Sequence, residues 1–132
     1  MIANDLDIAL IADGLYPIVS VKGELDHLGI DRFERIAQQA ADLDLGVVIL
    51  SLVDAAYFDS LTVHAIMAYR ARLEANRQRL VVAVRERGTP RRILDIVGVT
   101  TRVPTYPTLE AAIAAAPELT LRKELGTKSQ TT

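Results

Sequence analysis

The chain has 132 residues, half of them apolar, a net charge of −2 and no cysteine. That length supports one domain with a real core, and the apolar share argues against disorder. The weak negative charge gives no general attraction to nucleic acid or anionic membrane, and the missing thiols exclude a disulfide framework, a thiol nucleophile and a thiolate metal site. In chain order, Leu6, Ile8 and Leu10 alternate with Asp7 and Ala9, the period of a half-buried strand. Asp13-Gly14 signals a turn, and Ile18, Val19 and Val21 predict a second strand, so a hairpin is expected, with Pro17 at the strand start. The start MIANDLDIALIADG carries acids where a signal peptide has a basic region. No apolar run approaches the ~20 residues that span a bilayer, so a cytoplasmic protein without membrane insertion is expected.

The Gly23–His27 stretch is read as closing the hairpin and leading into a first helix, on which Ile30, Phe33, Ile36, Ala37 and Ala40 form an apolar stripe. Asp26 or Asp31 near its start favours the helix dipole. Val47-Val48-Ile49-Leu50 is an apolar run suited to a strand covered on both faces, followed by a polar turn. Val63, Ile66, Met67, Tyr69 and Leu73 recur at helical spacing, with Asp59 or Ser60 as the N-cap. Leu80 to Val84 reads as another buried strand. Thr89 is expected to cap a helix with Pro90 at its first position, with Ile93, Leu94, Ile96 and Val97 on its apolar side and Gly98 as its stop. An extended segment at Thr101–Tyr106 precedes a last helix from Leu109 to Ala116, halted by Pro117. The order is β-β-α-β-α-β-α-(β)-α, which calls for an α/β fold. Val48, Leu50, Val82, Ile66 and Phe33 are the expected core.

These pieces carry a family resemblance over Leu6 to Ala116. GELDH at Gly23–His27, LVDAAYFDS at Leu52–Ser60, ILDIVGV at Ile93–Val99 and YPTLEAAI at Tyr106–Ile113 stand in the order and spacing of a STAS domain of the bacterial anti-sigma factor antagonists. The resemblance implies a STAS-like mixed sheet of about four to five strands with helices against it, over residues 1–119; the end, 120–132, is polar and without periodicity and is expected to be a flexible tail. It implies no enzymatic activity, cofactor or metal of its own. It makes Asp59 the signature aspartate and Ser60 the serine phosphorylated by a partner kinase. Glu24, Asp26 and His27 match the loop beside that serine; with Asp59, Leu61, Thr62 and His64 they form the expected partner surface. The implied partner is an anti-sigma factor and serine kinase of the ATPase type, bound when Ser60 is unmodified and released on phosphorylation, so that transcription by a sigma factor is regulated. A second copy of the chain is a further candidate partner. The sequence departs from the family where Leu61-Thr62-Val63 stand in place of Ser-Gly-Leu.

The residues also leave blander readings. Ser60 suits a helix cap, and Thr62 is at home in a first helical turn or as an alternative phosphate acceptor. Ser60 and His64, four apart on one helix, imitate a nucleophile–base pair, but neither a GxSxG elbow nor a glycine-rich loop accompanies them. His27 and His64, the only histidines, make a poor basis for a metal site. Eight arginines fall between Arg70 and Arg92 without interleaved stacking aromatics, and read as a solvated face with ion pairs such as Arg70–Glu74, not as a direct nucleic-acid site. Lys22, Lys123 and Lys128 are poorly placed for a phospho-aspartate receiver. The alternative function is a constitutive scaffold or accessory subunit of a larger assembly, such as a stressosome or a lipid transporter.

Overall fold

The computed structural model describes the backbone of residues 6–131 and the side chains of residues 6–120. Its elements are β1 (Asp7–Ile11), β2 (Ile18–Leu25), α1 (Ile30–Asp42), β3 (Val47–Phe58), α2 (Ser60–Ala75), β4 (Arg79–Ala83), α3 (Thr89–Ile96), α4 (Val99–Arg102), β5 (Thr105–Tyr106) and α5 (Leu109–Thr131). One five-stranded sheet runs in the order β1-β2-β3-β4-β5, antiparallel between β1 and β2 and parallel thereafter. The expected mixed α/β sheet is therefore present. Pro17 enters β2 without a donor, yet its carbonyl accepts from the Ile49 backbone N–H at 3.0 Å.

The apolar runs of β3 and β4 are buried on both faces because each face has its own helices. Val48, Leu50 and Leu52 of β3, with Leu80 and Val82 of β4, meet Phe33 and Ala37 of α1, Ile66 and Leu73 of α2 and Leu94 of α3. The intervening residues Val47, Ile49, Val81 and Ala83 meet Ala112, Ala116 and Leu119 of α5. Val48, Leu50, Val82, Ile66 and Phe33 are all buried, as expected. On the first face, Phe33 and Tyr69 stand edge to face with centroids 6.4 Å apart, and the Tyr69 hydroxyl donates to the Ala37 carbonyl at 2.6 Å.

Several element boundaries differ from the sequence reading. β2 does not end before Gly23-Glu24-Leu25 but includes them, so the loop proper is Asp26–Gly29. β3 does not turn after Leu50; it runs on to Phe58, because β2 continues beside it to Leu25. Beyond Ser51 only β2 pairs with β3, and two register shifts there each place an extra residue on β3. Gly23, at the second shift, has φ +91°, a conformation glycine adopts without strain.

Thr89 is the first residue of α3, not its cap; Gly88 occupies the cap position with no side-chain bond, and Pro90 still lies in the first turn. Ile96 and Val97, expected on the apolar side of α3, are 76% and 50% exposed, and Leu94 alone of that helix is fully buried. Gly98 does stop α3, at φ +82°, but residues 99–102 then form the short α4 in place of an extended chain. Only Thr105–Tyr106 of that segment is strand. Pro117 does not halt the last helix, which runs through it to Thr131. Proline lacks the donor for one helical bond, and the turn around it is held from the side by Ala112, Ala116 and Leu119 on the sheet. The side chains of 121–131, all of residue 132 and residues 1–5 lie outside the described residues; the backbone of the tail expected over 120–132 continues α5 as helix to Thr131.

Candidate functional site

The site is built where β2 and β3 run past β4. Their parallel register sets Glu24 opposite Tyr57 and Leu25 opposite Phe58, and the fully buried Leu25 and Phe58 anchor the two strand ends in the core. Chain continuity then brings the Asp26–Gly29 loop beside the turn into α2. Asp26 steadies that loop: its Oδ1 accepts from the Leu28 backbone N–H at 3.0 Å and its carbonyl from the Gly29 N–H at 2.9 Å.

At the turn, Asp59 and not Ser60 is the N-cap. Its extended backbone (φ −99°, ψ −178°) and its Oδ1, which accepts from the Thr62 backbone N–H at 3.0 Å, satisfy one of the otherwise unpaired first-turn donors. Ser60 is thus the first residue of α2, exposed, with its hydroxyl at the positive end of the helix dipole. Leu61 and His64 are exposed as well, and His64 lies one turn beyond Ser60 on the same side of the helix. Burial by itself would raise the Asp59 carboxyl. Hydrogen bonds from the Thr62 backbone and hydroxyl and from the His27 backbone, with the charge of His27, outweigh it and hold Asp59 below the usual carboxylate range.

Thr62 corrects the expected surface. It is 0% exposed, so it neither offers a contact to a partner nor serves as an alternative phosphate acceptor. Its Oγ1 lies 3.0 Å from the Leu25 carbonyl and 2.9 Å from Asp59 Oδ1, inside the junction between the two strand ends. The structure therefore brings together Glu24, Asp26, His27, Asp59, Ser60, Leu61 and His64 at one end of the sheet, over a buried Thr62. The sequence reading missed two exposed apolar side chains there, Tyr57 and Leu28. Alternation along β3 would turn Tyr57 inward with Ala55, and the second register shift turns it out, so no local pattern signals it; a lone Leu in a loop carries none either.

The arginine-rich segment resolves into local pairs: Arg70 with Glu74 at 3.1 Å, Arg91 with Asp95 at 3.0 Å, and Arg85 with Asp54 at 3.4 Å. The Arg85–Asp54 pair ties the β4–α3 loop to the overhang of β3, beside a cleft lined by Ala55, Ala56, Gly88 and Pro90. Among the described residues, no group of three or more His, Asp or Glu is arranged to hold a metal ion, and no helix is long and apolar enough to cross a membrane.

The model of the STAS domain matches residues 8–112 of this sequence. The chain belongs to the STAS domain family. No curated protein matches it. Among solved structures, this STAS domain is similar to an anti-sigma factor antagonist from Mycobacterium paratuberculosis, at 21% identity over 86% of this chain and 95% of that one, with a TM-score of 0.77. It is similar to the Bacillus cell fate determinant SpoIIAA in its phosphorylated form, at 20% identity over 82% of this chain and 97% of that one, with a TM-score of 0.62. A sulfate transporter family protein from Wolinella succinogenes is similar too, at 16% identity over 83% of this chain and 90% of that one, with a TM-score of 0.65. Identities this low establish the shared STAS fold.

Proposed function

We propose that this STAS domain is an anti-sigma factor antagonist, a non-enzymatic module that binds an anti-sigma factor and serine kinase of the ATPase type. The contact surface in this reading is Glu24, Asp26, His27, Asp59, Leu61 and His64, with Tyr57 and Leu28 adding apolar area. Ser60 is the residue the kinase phosphorylates. The observation that carries the reading is the exposed Ser60 hydroxyl at the first position of α2, beside a buried and fully bonded support. A phosphate there adds about −1.5 to −2 charges at a helix start, where the dipole accommodates them, so the domain itself keeps its fold. A partner surface fitted to a small hydroxyl beside the Asp59 carboxylate meets a dianion instead. A loss of about 2.7 kcal/mol weakens binding a hundredfold, enough for a switch. Two of the similar structures, an anti-sigma factor antagonist and a phosphorylated SpoIIAA, favour this role by what they are.

The test is binding and phosphate transfer with a purified ATPase-type anti-sigma kinase from the source cell. Ser60→Ala is expected to bind and to take up no phosphate, and Ser60→Asp to lose binding at an unchanged melting temperature. Phosphate transfer to Ser60→Ala, or normal binding by Ser60→Asp, overturns the switch. A second reading, a constitutive scaffold or accessory subunit whose serine is never modified, has its own support. Leu61-Thr62 replace the family's Ser-Gly, and a transporter-family protein shares the fold.

A further inference from the structure

Thr62 departs from the family's glycine, and its surroundings give that departure a role. A hydroxyl carries one proton, yet both hydrogen-bond neighbours of Thr62 Oγ1, the Leu25 backbone carbonyl and the Asp59 carboxylate, are acceptors. The proton goes to one of them at a time. One acceptor belongs to the cap of α2 and the other closes β2, from which the Asp26–Gly29 loop departs. The residue is sealed from water, so no solvent molecule relieves the competition. We infer that Thr62 is a positioning residue that couples the charge state at Ser60 to the conformation of the Asp26–Gly29 loop, by moving its single hydroxyl proton between Asp59 and the Leu25 carbonyl.

The coupling runs as follows. With Ser60 unmodified, the Asp59 carboxylate holds the Thr62 backbone N–H and attracts the hydroxyl proton, since a bond to an ionised acceptor is the stronger of the two. An anionic group on Ser60 sits beside the same first-turn N–H groups and competes with Asp59 for them. As Asp59 loosens from the cap, the hydroxyl turns to the Leu25 carbonyl. His27, whose backbone bonds to Asp59, and the adjoining Asp26 move with it. One modification thereby alters both halves of the exposed surface. The functional weight of the coupling rests on the Ser60 reading above, but the coupling is a property of the isolated chain and is measured without a partner.

Amide spectra of the full chain test it. Ser60→Asp is introduced into the wild-type, Thr62→Val and Thr62→Ser backgrounds, and the shifts of the Leu25 to Gly29 amides are read. The expected result is a clear displacement of the Asp26 and His27 amides in wild type, its loss in Thr62→Val, and its return in Thr62→Ser, which keeps the hydroxyl. Equal displacement in all three backgrounds, or none in any, overturns the inference. If Thr62→Val does not fold, the Thr62 hydroxyl proton itself is followed. Slow exchange with water and a shift between wild type and Ser60→Asp are expected, and a fast-exchanging or unmoved proton is contrary to it. Normal kinase binding by Ser60→Asp with the displacement intact would sink the switch and leave the coupling standing.

Discussion

Replacing Asp59 with alanine isolates what the cap of α2 is worth. The substitution removes the acceptor for the Thr62 backbone N–H, a loss that costs about 0.5–2 kcal/mol when an N-cap acid is truncated. The Thr62 hydroxyl also loses Asp59 but keeps the Leu25 carbonyl, whereas the backbone N–H, in a residue sealed from water, is left without its acceptor, which places the loss toward the upper end of that range. The expected total is about 1–2 kcal/mol, a fall of roughly 4 °C per kcal/mol for a domain of this size. Asp59→Asn retains a capping oxygen and costs less. The pH dependence has a fixed sign. Asp59 is held below the usual carboxylate range in the folded state, so its contribution is present above that range. It fades as pH falls through the depressed value, and the gap between wild type and Asp59→Ala narrows in acid. Urea denaturation of the three proteins at neutral and acid pH makes the comparison. A melt of Asp59→Ala identical to wild type at neutral pH would show that the cap contributes nothing, and a gap unchanged in acid that its ionisation does not matter.

The core gives three further expectations. Leu50→Ala and Phe33→Ala, both in fully packed sites, should each cost about 2–5 kcal/mol in a urea midpoint, and an unmoved midpoint would contradict the face assignments of β3 and α1. Tyr69→Phe should cost about 0.5–1.5 kcal/mol, the net worth of one hydrogen bond, because the Ala37 carbonyl inside α1 keeps its helical bond when the hydroxyl is removed. Burial also pushes the Tyr69 hydroxyl well above the usual tyrosine range, against the smaller opposing pull of Arg72. The stability tied to that shift is whole below the usual range and is lost as pH rises through the raised value. Alkaline titration by absorbance should accordingly show Tyr69 ionising only as the chain unfolds.

The layers of this fold were readable wherever a residue answers to one neighbour type. The Val47–Leu50 run, flanked by helical stripes, demanded a strand covered on both faces, and the two clusters on either side of β3 are that cover. What sequence could not supply was pairing. The residues after Leu50 read as a polar turn because the apolar run breaks there; they form strand as far as Phe58 because β2 lies alongside to hydrogen-bond them. Ile96 and Val97 followed the helical period of α3, but the short helix buries only Leu94 fully, so periodicity overstated its contact. Pro117 obeyed a rule of local propensity that packing on the sheet overrode. At the site, a threonine two places past a serine looks like any first-turn residue. Its burial depends on a carbonyl 37 positions earlier in the chain, which no local pattern encodes.

The two-sided burial of β3 and β4 divides the sequence into sets that drift separately. Positions such as Val48, Leu50, Val82 and Phe33 are bound to the helices that carry Ser60, so a change among them reaches the exposed surface at the sheet end. Val47, Ile49, Val81 and Ala83 answer only to α5 and its neighbours on the opposite side. A lineage could recast that second set, exchanging volume between alanines of α5 and valines of the sheet, while the sheet end beside Ser60 stayed as it is. Related chains should then show compensating substitutions within each set and few between them. An engineer fusing a reporter to this protein has the same freedom on the α5 side and little of it on the other.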